Sequence, residues 1–223
     1  MFDISVIVTA AGKNSRMRRD LLDAGRNLNN KLTLPLADSC VLGETLDHVF
    51  KLNVDEIILI LGHCKYEILE AISNIEEPRL KIIENKNHDV DLSQSLLNGL
   101  KNTKSKTVLC TTGDQPTITK KTYQKILKHQ EKNPQKNITI LRRRKIGKLN
   151  TTLGLGMPFA TNRIDLIKYL ENENSNINPI LGKMYENKYT FYAIEEDNPL
   201  ELININHLKD YEYVLKNYKG NKI

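Results

Sequence analysis

Apolar positions along the chain fall into two kinds of segment. Short, nearly continuous runs rich in Val, Ile and Leu occupy 4–9, 57–61, 80–84, 107–110 and 137–141. Runs of this length and composition predict strands buried on both faces. Between them lie longer segments with apolar residues at helical spacing, over 43–51 (Leu46, Val49, Phe50), 66–75, 93–101 and 120–131, and Gly, Pro, Asn or Asp punctuates each boundary. Strands alternating with helices predict a mostly parallel sheet with crossover helices, an open α/β sandwich. The last third is less regular: a turn with two glycines at 151–159 (TTLGLGMPF), a helix over 163–172, a strand over 189–194 and a closing helix over 208–217. Asn-rich stretches such as ENENSNIN read as surface loops. No linker, repeat or low-complexity run divides the chain, so 1–223 is expected to be a single domain.

Composition narrows the class. The 223 residues, 39% apolar and 27% charged, have the balance of a soluble globular protein. The net charge of +6, with a pI near 9.1, suits an anionic partner such as a nucleotide, a phosphorylated small molecule or nucleic acid. Aromatic content of 6% with no Trp argues against the stacking platforms of single-strand nucleic-acid binders, so no nucleic-acid partner is expected. Cys40, Cys64 and Cys110 are odd in number and unclustered, which argues against a disulfide framework or a Cys-based zinc site and for a cytoplasmic setting. The N-terminal residues lack the pattern of a signal peptide, and no apolar stretch nears the ~20 residues of a membrane span; no membrane association is expected.

Ligands of open α/β sheets bind beyond the carboxyl ends of the strands. Four loops leave those ends: AAGKNSRM (10–17), LGHCK (61–65), ENKNHDVDLSQS (84–95) and TTGDQP (111–116). The first lacks both the dinucleotide and the P-loop glycine patterns. Ala10, Ala11 and Gly12 nonetheless let backbone N–H groups approach an anion, Ser15 adds a hydroxyl, and Arg16 offers a planar fork of donors. Composition alone leaves an anion cradle and an ordinary strand-to-helix turn equally open. Asp114 is either a turn former ahead of Pro116 or a ligand for a hard cation. The five histidines show no metal-ligand spacing, and His63 reads as a satisfied loop residue. The run Arg142-Arg143-Arg144-Lys145 reads first as a solvated sheet edge and second as a phosphate contact.

Taken in order, V-T-A-A-G-K-N-S-R-M, N-K-L-T-L-P-L, G-H, S-Q-S-L-L-N-G-L and T-T-G-D-Q-P resemble the MobA-like nucleotidyltransferases, and among them the molybdenum-cofactor cytidylyltransferases. The resemblance is clear over about 4–118 and weaker to about 214. It implies a Rossmann-like, mostly parallel open sheet with helices on both faces, of the nucleotide-diphospho-sugar transferase type. It also implies a nucleotide-binding part over about 1–118 and an acceptor-binding part over about 119–223. The implied reaction moves a nucleoside monophosphate from a nucleoside triphosphate to a phosphorylated acceptor such as molybdopterin, with a molybdoenzyme as eventual recipient. The implied site is Ala10, Ala11, Gly12 and Ser15 around base and phosphates, and Arg16 and Lys31 on the triphosphate and the pyrophosphate leaving group. Gly62, Ser93 and Ser95 would border base and ribose, and Gly113 and Asp114 lie in the motif that holds Mg²⁺. Asn206 occupies the second metal position. Ala11 accompanies CTP in this family. Asn204-Ile205-Asn206, where the cytidylyltransferases often carry D-x-D, points instead to GTP. The alternatives kept open are a guanylyl or sugar- or alcohol-phosphate nucleotidyltransferase of the same fold and a non-catalytic nucleotide-binding protein. A further departure is the insert 18–30, which separates Lys31 from Arg16 and reads as a lid, a substrate contact or an idle loop; Lys13 is the less favoured substitute for Lys31.

Overall fold

The computed structural model describes residues 3–220. In chain order the elements are β1 (Ile4–Ala10), α1 (Ser15–Asp23), β2 (Pro35–Leu36), β3 (Ser39–Cys40), α2 (Val41–Phe50), β4 (Glu56–Leu61), α3 (Lys65–Ala71), β5 (Leu80–Glu84), α4 (Leu92–Lys101), β6 (Thr107–Thr112), α5 (Lys120–Lys132), β7 (Asn137–Leu141), β8 (Gly147–Lys148), β9 (Phe159–Asn162), α6 (Arg163–Leu170), α7 (Ile177–Glu186), β10 (Thr190–Ile194), a 3-10 turn (Pro199–Leu202) and α8 (Leu208–Asn217). Eight strands form one sheet in the order β5-β4-β1-β6-β9-β7-β10-β8. β5, β4, β1, β6 and the β7–β10 pair run parallel, whereas β9 is antiparallel to both β6 and β7, and β8 is antiparallel to β10. The fold is thus the mostly parallel α/β sheet of the nucleotide-diphospho-sugar transferase type.

The continuous apolar runs of β1, β4 and β6 lie in the middle of the sheet, so both faces of each are covered. Val6 and Val8 of β1 enter one core cluster with Leu42, Leu46 and Tyr123; Ile7 enters the other with Leu96, Leu100 and Phe159. This alternation follows the two-residue period of a strand and needs helices on both sides of the sheet.

Besides the two-residue strands β2, β3 and β8 and the 3-10 turn, three longer elements depart from the expectation. The insert is helical over its first part, where it continues α1 to Asp23, and is a loop only beyond it; α1 buries Met17 and Leu21. The stretch expected as surface loop beyond 172 runs into helix α7, whose Pro179 stands in the first turn, where a missing N–H costs nothing. β9 is a four-residue strand, too short to register as a run. No helix among the described residues is long and apolar enough to cross a membrane.

Candidate active site

The carboxyl ends of β1 and β6 open into a cleft of about 370 Å³. Ala10, Ala11 and Gly12 carry the chain out of β1, Asn14 takes a left-handed turn at φ 58°, and α1 begins at Ser15. The start of α1 has no side-chain cap and no acidic residue in its first turn. Its free amides and the positive end of its dipole are therefore left toward the loop, as an anion site requires. A second hollow of about 150 Å³ continues from this point, lined by residues 12–17 with Lys31 and Asn206.

The insert returns to where it started. Asn14 is buried; its amide nitrogen donates to Asn29 O at 3.0 Å and its oxygen accepts from Lys31 N at 3.3 Å. Lys31 is thereby delivered to the same cleft as Arg16, 15 positions away in sequence. Its ammonium forms an ion pair with Asp114 Oδ2 and donates to Asn206 Oδ1 at 3.2 Å. Thr112 Oγ donates to the other Asp114 oxygen at 2.6 Å, and Ile205 N donates to Asp114 O at 2.9 Å. Residues from the first loop, the insert, the end of β6 and the segment before α8 thus meet at one point. Lys13, by contrast, pairs with Asp89 on another rim loop, so Lys31 is the lysine that reaches Asp114.

The remaining expected residues divide. Ser95 lines the cleft, its hydroxyl fixed by the Asn85 amide at 2.9 Å. Ser93 does not line it: its buried hydroxyl donates to Glu173 O at 3.0 Å and accepts from Ser175 N at 2.9 Å, which ties the 173–175 loop to α4. Two residues apart on a helix, the two serines point in nearly opposite directions, so only one can face the ligand. Gly62 supports the site from behind; a Cβ there would stand 2.9 Å from Ala11 Cβ and 3.0 Å from Ala11 O. Gly113 also acts through the backbone, donating to Thr9 O at 3.0 Å and accepting from Thr45 Oγ at 3.0 Å. Ser15 is exposed and borders the smaller hollow.

Asn204 is turned from the Lys31–Asp114 pair. Its oxygen accepts from Gln115 Nε2 at 3.0 Å and from Arg143 Nη2 at 3.3 Å. Arg143 also donates to Met157 O at 2.8 Å and Leu202 O at 3.0 Å. Burial moves its pKa below the ordinary guanidinium value, with the Asp114 charge opposing. Arg142 pairs with Glu196, so the basic run is not a uniform solvated edge: Arg143 is a buttress of the 156–158 turn and of the segment leading to Asn206. Thr112, Gln115 and Asn14 are the site residues the motif reading passed over; Gln115 lay in view as the third residue of G-D-Q-P. His63 lies outside the cleft lining, with its ring 6.0 Å from that of His88; against the expectation of a satisfied loop residue, its buried Nε2 has no hydrogen-bond partner among the described residues.

The donor set fits a divalent cation that arrives with a nucleotide. The Lys31 ammonium already bridges Asp114 Oδ2 and Asn206 Oδ1, which marks the place where positive charge is stabilised between them. Among the described residues no group of three or more His, Cys, Asp or Glu side chains is arranged to hold a metal. One carboxylate and one amide suffice for Mg²⁺, which keeps several waters and leans on substrate phosphates.

The model of the MobA-like NTP transferase domain matches residues 6–182. The chain belongs to the MobA-like NTP transferase family. A nucleotidyl transferase from Methanothermobacter thermautotrophicus is similar throughout: 37% identity, 96% of each chain covered and a TM-score of 0.89. The 4-diphosphocytidyl-2C-methyl-D-erythritol synthase from Anaerococcus prevotii shares the fold at 18% identity, with 96% of this chain and 95% of that chain covered and a TM-score of 0.70. The bifunctional protein GlmU of Bacillus cytotoxicus is 28% identical over 126 residues, 56% of this chain; the match spans a quarter (25%) of that curated relative's length. In this member of the family the loop 10–17, Lys31 and Asp114 of G-D-Q-P converge despite the insert.

Proposed function

We propose that the protein transfers a nucleoside monophosphate, CMP in first place, from a nucleoside triphosphate to a phosphorylated acceptor of the molybdopterin type and releases pyrophosphate. The observation that supports this is the convergence of Arg16, Lys31, Asp114 and Asn206 in one cleft beside an uncapped helix start. An acceptor phosphate oxygen attacks the α-phosphorus, the bond from that phosphorus to the bridging oxygen breaks, and the electron pair leaves with pyrophosphate. No protein nucleophile is needed, so the protein's task is to align the reactants and to stabilise charge. The first amides of α1 and the Arg16 fork hold the outer phosphates. Lys31 neutralises charge that builds on the leaving group. Asp114 and Asn206 would hold Mg²⁺, which when bound screens the phosphate oxygens and makes the α-phosphorus more electrophilic.

Ala11 favours CTP through the family resemblance, while the amide at Asn206 favours the guanylyl reading. Pyrophosphate release measured with CTP, GTP, ATP and UTP, each with Mg²⁺ and molybdopterin, decides between them. Release that is highest with CTP and depends on the acceptor is expected. A GTP preference sinks the cytidine assignment, and tight triphosphate binding without turnover on molybdopterin, a sugar phosphate or an alcohol phosphate sinks the enzyme reading.

A further inference from the structure

The insert 18–30 has a physical role that no motif assigns to it. We infer that Asp20 is a positioning residue that fastens helix α1, the phosphate side of the cleft, to segment 204–208, its metal side. This rests on the nucleotidyltransferase reading above. Asp20 Oδ2 accepts from Leu208 N at 2.9 Å and from His207 Nδ1 at 3.0 Å. Those two residues directly follow Asn206. Asn206 itself is held from the other side: Asp210 Oδ2 accepts from Asn206 N at 3.1 Å and His207 N at 2.8 Å, and Ile205 N is bonded to Asp114 O at 2.9 Å. Asp20 is the one of these anchors that comes from the insert.

Asp20 stands four residues after Arg16, hence on the same face of α1. A carboxylate on α1 that grips the start of α8 fixes the distance between the Arg16 fork and the Asn206 amide. A triphosphate with its cation must touch both. Arg26, beyond the end of α1, donates to Glu212 of α8 at 2.8 Å and gives the brace a second, exposed tie. At its far end the insert is closed by Asn14 on Asn29 and Lys31, and by Glu67, which accepts from Asn30 N at 2.6 Å. The insert is therefore braced at both ends rather than draped over the cleft as an idle loop. Holding two ligand-contacting elements in register before binding removes an ordering cost from the complex.

The test is calorimetric binding of CTP and CMP, with GTP and GMP in parallel, to wild type, Asp20→Ala and Asp20→Asn in Mg²⁺. A monophosphate reports the base and ribose side; a triphosphate also reports the register of α1 with 204–208. Asp20→Ala is expected to weaken the triphosphate by about tenfold and leave the monophosphate within about twofold. Asp20→Asn keeps an acceptor for Leu208 N and is expected to lose about threefold, again on the triphosphate only; it carries the test alone if the alanine variant does not fold. Equal weakening of mono- and triphosphate, or no change in either, overturns the role of Asp20 while leaving the nucleotide reading in place. A wild-type protein that binds no triphosphate overturns that reading and the inference with it.

Discussion

At the amino ends of the strands, polar side chains are paired with one another; at the carboxyl ends, several are left for something else. Ser5 Oγ lies 3.0 Å from Glu56 Oε1 and 2.7 Å from both Thr103 Oγ and Ser105 Oγ. Lys81 closes that group on the second Glu56 oxygen at 2.5 Å, and Arg163 donates to Ser105 O and Leu100 O at 3.0 and 3.3 Å. Around the cleft, among the described residues, Arg16 is exposed with no partner, the first amides of α1 have no side-chain cap, and the Asp114 side chain is bonded to Lys31 and Thr112 alone. Buried polar groups cost free energy unless satisfied, so a fold that needs stability alone satisfies them all. The difference separates residues that hold the sheet together from residues held ready for a charged ligand.

The two ends of the sheet differ most at Asp114. Replacing it by Asn removes the sole carboxylate of the donor set and should lower the pyrophosphate-release rate by roughly 10³-fold. Stability should change by about 1 kcal/mol, because the amide keeps an acceptor for Thr112 Oγ and Lys31 still has the Asn206 oxygen. Rate assays and thermal melts of the same preparations check both halves. Retained activity would remove Asp114 from the site; a large loss of stability would place it with the amino-end residues.

Glu56 is the mirror experiment. Alanine there leaves the Ser5 and Thr103 hydroxyls and the Lys81 ammonium without their shared acceptor, at about 2 kcal/mol in unfolding free energy. The binding constant for nucleotide should not move, since Glu56 begins β4 and the cleft lies at the opposite, carboxyl ends of the strands. Urea unfolding and nucleotide titration of Glu56→Ala separate the two effects, and a changed nucleotide affinity at full folding would show that the ends of the sheet are coupled.

How far the residues announced this division depends on which signal they carried. The strands were legible because two-sided burial leaves runs such as Ile57–Leu61 with no polar interruption. Arg16, Lys31 and Asp114 were legible as motif members, and the cleft brings them together. The exclusion of Ser93 was not legible, because its partners, Glu173 O and Ser175 N, are about 80 residues away in a loop whose position depends on α6 and α7. That Asn204 turns away from the Lys31–Asp114 pair was not legible for the same reason. Arg143 and Gln115 draw it aside while Lys31 meets Asn206, and neither contact can be read from local spacing. The tie at Asp20 was not legible because its partners, His207 and Leu208, stand 187 and 188 positions away in sequence.

The amino end also carries a small pH dependence of its own. Before β5, at the amino end, Arg79 donates to both oxygens of Glu77 and also to Leu52 O at 2.7 Å and Phe50 O at 2.6 Å, tying the strand to the end of α2. The Arg79 side chain holds the Glu77 carboxyl down from an ordinary 4.5 to about 2. A carboxyl whose folded value is depressed favours the folded state when ionised, so its contribution is complete above 4.5 and disappears as the pH falls through the window from 4.5 to about 2. The pair is partly open to water, which limits the contribution to about 1 kcal/mol. The unfolding free energies of wild type and Glu77→Gln should therefore differ by that amount at pH 7 and converge below pH 4.5, measured by urea titration at each pH. A difference that stays constant down to pH 3 would mean that shape, and not charge, fixes this corner, and the pairing of the amino end would then rest on its hydroxyl network and Arg163.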